Sequence, residues 1–145
     1  MHSGVRAALA GAMATMVWAA LEPVDQRLFR YDYSDVALLG KWVTRTRWWP
    51  LAGLALHAGN GAIFGAVFDV MRRRTGAEPQ RLALALALAE NFGLYPLSYV
   101  VDTRHPARGT PGVPRLLTGR ALAQATIRHA LFGVVLGRLA VSREE

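Results

Sequence analysis

Four stretches of this chain are apolar over a length that spans a lipid bilayer, and three of them carry ionisable or amide side chains near their midpoints. They cover about residues 5–21, 48–70, 82–101 and 119–141. A helix needs about 20 apolar residues to cross a hydrocarbon core of about 30 Å. The second and third stretches meet this outright. The first and fourth meet it when their terminal Arg side chains reach along their own stems to the interface. Inside hydrocarbon every backbone N–H and C=O must be satisfied within the segment, so such stretches fold as helices. The expected fold class is therefore all-α: an integral membrane four-helix bundle, with residues 1–145 as a single polytopic transmembrane domain.

Local signals fix the boundaries. Glu22-Pro23 is expected to end the first helix, because proline lacks the N–H that continues the ladder. Trp48 and Trp49, followed by Pro50, mark an interfacial helix start. Arg6 ahead of an apolar run resembles a signal peptide, but three further apolar segments follow and the run reads as a retained first helix. In the connection 23–47, Ser34 is placed to cap a short helix from Asp35 through Trp42 that lies in the interface. The connection 102–118 holds Pro106, Gly109, Pro111, Gly112 and Pro114 and should be irregular. Stripes of small residues favour close helix packing: Ala7, Gly11 and Thr15; Gly61 and Gly65; Gly133 and Gly137. Phe64-Gly65 and Phe132-Gly133 sit at matching places in their segments, which hints at a duplicated helical hairpin.

The chain carries 17 Lys+Arg against 10 Asp+Glu, a net charge of +7, with Lys41 the sole lysine. In a chain this apolar, the excess reads as juxtamembrane Arg set against anionic lipid headgroups rather than as a nucleic-acid surface. With Cys 0, disulfides, thiolate nucleophiles and Cys-ligated metals are excluded. The short connection bearing Arg72, Arg73, Arg74 and Arg81 points to both termini on the cytoplasmic side of a bacterial-type inner or plasma membrane.

The polar midpoint residues are His57 and Asn60, Glu90 and Asn91, and Arg128 and His129. At a rise of about 1.5 Å per residue, all lie close to the centres of their helices. Ionisable groups at that depth face the protein interior and find partners. Glu90 is expected to pair with Arg128, since a bidentate Arg–carboxylate bond best offsets desolvation. These six residues are the candidate binding set, suited to a proton, an ion or a small polar solute, with Arg128 as an anion holder. Haem between His57 and His129 is disfavoured by the crowding of the expected ion pair.

A second set gathers where the first and third segments end: Glu22, Asp25, Asp102 and His105. Carboxylates with one His suit a divalent cation or general acid–base chemistry on a lipid or isoprenoid. No spacing there matches a specific metal or nucleotide motif. Three classes of function stay open: translocation or binding of a proton, ion or small polar solute; a structural or accessory subunit of a membrane complex; and a membrane-embedded enzyme. Four short helices enclose little volume, so a homo-oligomer or a partner membrane subunit is expected.

Overall fold

The computed structural model describes residues 3–141, and these are helical with no strand. The helices are α1 (Ser3–Phe29), α2 (Asp35–Val43), α3 (Trp49–Thr75), α4 (Pro79–Leu94), α5 (Ser98–Arg104) and α6 (Gly119–Val141). A 3-10 turn, Tyr95–Leu97, joins α4 to α5. Its Pro96 has no N–H for the α-ladder, so one expected helix becomes two nearly continuous pieces. Three helical stretches are long and apolar enough to cross a membrane: Ser3–Phe29, Trp49–Thr75 and Pro79–Arg104. The fourth expected span, α6, is not among them; Gln124, Arg128 and His129 interrupt its apolar character.

Helix α1 overruns its expected end. Pro23 lies inside it, and the helix continues two turns to Phe29. Proline removes only its own donor, and the turns around it are held from outside. Glu22 accepts from Ser34 Oγ at 2.6 Å and from the Asp35 backbone N–H at 2.8 Å. Gln26 Nε2 donates to the Tyr33 carbonyl at 3.0 Å. The chain then reverses through Arg30 in the left-handed region (φ 49°), with the Tyr31 N–H bonded to Gln26 O.

Ser34 caps α2 as its position implied, its Oγ accepting from Ala37 N at 3.0 Å. Helix α3 also runs on, through Arg72–Arg74 to Gly76, whose φ of 64° closes it with a backbone bond to Arg72 O. Glu78 starts α4 by accepting from the N–H groups of Gln80 and Arg81, each at 2.8 Å. That places the α4 start at Pro79, one turn before the expected boundary.

The long helices pack as two antiparallel pairs through small residues. In the α1/α3 pair, a Cβ on Gly11 would stand 2.0 Å from Gly61 O, and one on Gly65 would stand 2.1 Å from Ala7 O. In the α4/α6 pair, Gly133 rests on Leu84 and Gly137 on Gln80. Helix α2 lies on the start of α3 the same way, Gly40 against Trp49 O and Gly53 against Val36 O. Glycine is required at these crossings because the backbones themselves touch. The core joins the pairs through Ala10, Ala14, Trp18, Phe68, Ala83, Ala87, Phe132 and Leu136. Phe64 and Phe132, the matching positions of the two hairpins, meet edge to face at 5.0 Å.

The irregular segment after α5 knits to the segment after α1. Gly112 O accepts from Ser34 N at 3.0 Å, and its N–H donates to Asp32 Oδ2 at 2.8 Å. The φ of Gly112 is 81°, and a Cβ there would press on Ala37 at 2.5 Å. Away from these contacts the long helices show bare apolar side chains, among them Leu28 (73% exposed), Ile63 (66%) and Leu51 (63%). Such a belt has no partner within the fold.

Candidate functional site

Arg128 is 1% exposed, and its partners come from the opposite end of the sequence. Its Nε donates to Asp25 Oδ2 at 2.6 Å and its NH2 to Asp25 Oδ1 at 2.5 Å, a bidentate pair. Its NH1 donates to Asp35 Oδ2 at 2.7 Å, and NH2 also donates to the Tyr33 carbonyl at 2.8 Å. Glu22 Oε1 lies 3.6 Å from NH1. The expected Glu90–Arg128 pair is therefore replaced. The reason is the overrun of α1, which carries Asp25 past Pro23 and onto the same face as α6. Glu90 meets His129 instead, Oε2 to Nε2 at 3.9 Å.

Asp35 is the hinge of this network. Its Oδ1 accepts from the Tyr33 hydroxyl at 2.6 Å, and its Oδ2 accepts from Trp18 Nε1 at 3.1 Å as well as from Arg128. Burial pushes the Asp35 carboxyl up, but the Arg128 guanidinium and the Tyr33 hydroxyl outweigh it and hold the group below the usual carboxylate range. Burial and the neighbouring Asp35 charge push the Tyr33 hydroxyl well up, so it stays a neutral donor.

Beside this network lies a cleft of about 370 Å³ between α3 and the α4–α5 arm. His57, Asn60, Glu90, Asn91 and His129 all line it, and Arg128 does not. Arg128 stands behind the wall and reaches the cleft through Asp35 and Tyr33, which line it. His57 is 5% exposed and its Nε2 has no hydrogen-bond partner among the described residues. His129 Nδ1 bonds the Ala125 carbonyl at 2.8 Å, so Nδ1 carries the proton and Nε2 is left facing Glu90. Asn91 Nδ2 donates to Thr126 Oγ1 at 2.9 Å. Trp18 stands between the two histidines, ring to ring at 5.1 Å from His57 and 4.7 Å from His129. Phe64, Tyr95, Leu94 and Leu97 form apolar walls, and Asn60, Leu94 and Leu97 are exposed at the mouth.

The second expected set is dispersed. Glu22 and Asp25 belong to the Arg128 network. Asp102 accepts from the backbone N–H groups of Leu116 (2.6 Å) and Leu117 (2.9 Å), fastening the segment that leads into α6. His105 is 0% exposed; its Nδ1 accepts from Ala107 N at 3.0 Å, so its Nε2 donates to Leu38 O at 2.9 Å. Both ring nitrogens are thus committed to backbone. Among the described residues no group of three or more His, Cys, Asp or Glu is arranged to hold a metal ion.

Trp18, Tyr33 and Asp35 escaped the sequence reading. Trp18 lay three residues from the expected end of the first stretch, where a tryptophan reads as interfacial; the run of α1 to Phe29 places it well inside the helix instead, with Asp35 as the acceptor for its N–H. Comparison with protein families, curated proteins and solved structures finds no match to this chain.

Proposed function

We propose that this chain is an integral membrane protein of four spanning helices whose cleft binds a small amphipathic molecule drawn from the bilayer. The observation that carries this is the cleft itself, lined by α3 and the α4–α5 arm, with His57 and Asp35 buried in its wall and Leu94 and Leu97 exposed at its mouth. A volume of about 370 Å³ falls in the range of small-molecule sites, about 300–1,000 Å³. Its mouth sits within the exposed apolar belt, where acyl chains would lie. Arg128, sealed by Asp25 and Asp35, completes α6 as a fourth span because its charge is neutralised before it meets lipid. The Arg72–Arg74 end suits the cytoplasmic leaflet and its anionic headgroups.

Binding is favoured over passage through a single copy. Toward the α1 N-terminal end the interior is filled by Ala10, Ala14, Ala83, Ala87, Phe68 and Leu136, and the cavity beyond, beside Ser3 and Asp69, is about 40 Å³. Native mass spectrometry on protein gently extracted from its own membrane tests the reading. A retained small molecule is expected, lost in Asn60→Phe, which fills the mouth, with helicity by circular dichroism unchanged. A chain that carries no small molecule and takes up no added single-chain amphiphile refutes it.

A further inference from the structure

We infer that the cleft is selective for amphiphiles with a protonated amine head and rejects anionic ones. This rests on the reading of the cleft as a binding site. The chain has 17 Lys+Arg against 10 Asp+Glu, yet among the described residues no Lys or Arg lines the cleft while Asp35 and Glu90 do. A basic protein has kept its cations out of this one space.

The two carboxylates are not equivalent. Asp35 has both oxygens engaged by Tyr33, Trp18 and Arg128, so it has little acceptor capacity left for a ligand. The Glu90 carboxylate faces only His129 Nε2 at 3.9 Å, too far for a hydrogen bond. Nδ1 of His129 is engaged by Ala125 O, so Nε2 is the ring atom turned toward Glu90. His57 Nε2 is buried and without a partner. The cleft therefore presents, among the described residues, a carboxylate with no hydrogen-bonded partner and a buried imidazole nitrogen still to be paired. A head with several N–H donors and a positive charge satisfies it; a phosphate or carboxylate head would meet Glu90 with a like charge and find no guanidinium or ammonium in reach. Trp18, Phe64 and Phe132 line the same space, and aromatic rings favour a cation over an anion. The apolar body of the ligand runs out past Leu94 and Leu97.

The test is a matched series: n-decylamine, n-decanol and n-decanoate, titrated onto the whole protein in nanodiscs of zwitterionic phosphatidylcholine, with empty nanodiscs subtracted. Binding is read from tryptophan fluorescence and from native mass spectra. The amine should bind at least tenfold more tightly than the carboxylate, with the alcohol between them. In Glu90→Gln the advantage of the amine over the carboxylate should shrink below threefold. Equal binding of all three, or a preference for decanoate, overturns the amine selectivity while leaving the cleft as a binding site. Binding of none of them overturns the cleft reading itself. Should Glu90→Gln fail to fold, the series on the unaltered chain decides alone.

Discussion

Replacing Arg128 by Met separates the charge pairing found here from the one the sequence pattern favours. The substitution removes the guanidinium that donates twice to Asp25, once to Asp35 and once to the Tyr33 carbonyl. It leaves carboxylates 8–13% exposed without their counter-charge, the side chains of Glu22 (8%), Asp25 (13%) and Asp35 (13%). Removing one partner of a buried ion pair costs about 3–5 kcal/mol, most of it the penalty of the charge left behind. Arg128→Met should fall in that range by denaturant-induced unfolding in detergent, followed by circular dichroism. Adding Asp25→Asn removes one stranded charge and should recover part of the loss, a coupling of about 0.5–3 kcal/mol. Adding Glu90→Gln should recover less than Asp25→Asn does, since Glu90 is not among the ion-pair partners of Arg128. Rescue by Glu90→Gln without rescue by Asp25→Asn would refute the network described here.

Gly11→Ala should destabilise by at least the ~1–3 kcal/mol typical of overpacking, because its Cβ would meet Gly61 O at 2.0 Å, whereas Gly59→Ala, with nothing within 4 Å, should be neutral or stabilising by up to ~1 kcal/mol; parallel melts of the two variants check this. Asp35 is held below the usual carboxylate range, so its stabilisation is complete above that range and drains as the pH falls through its folded-state value. Unfolding free energy measured from pH 7 downward should therefore drop in the acid range, and the drop should be smaller in Asp35→Asn; an identical acid slope in both proteins would exclude Asp35 as its source.

Hydropathy alone located the long helices, because bilayer-length apolar runs leave few alternatives to a helix. Ser34 was legible as a cap, since one hydroxyl ahead of a helical run suffices. The depth argument gathered His57, Asn60, Glu90, Asn91 and His129, and these line one cleft. Depth is a coordinate along a helix and can be counted in residues. Partner choice depends also on rotation about the axis and on which helices are neighbours, and these are set by tertiary contact. Arg128 shows the difference: its depth suited Glu90, but its rotation and the overrun of α1 deliver it to Asp25. The continuation through Pro23 was illegible because the bonds that hold it come from Ser34 and Asp35, beyond the helix itself.

The span between Asp25 and Arg128, 103 residues, has a consequence for biosynthesis. Glu22, Asp25 and Asp35 leave the ribosome early and wait for their counter-charge until α6 emerges. Every chain that stops short of Arg128 carries these carboxylates beside a forming helix hairpin without the guanidinium they share, which arrives only with the last described helix.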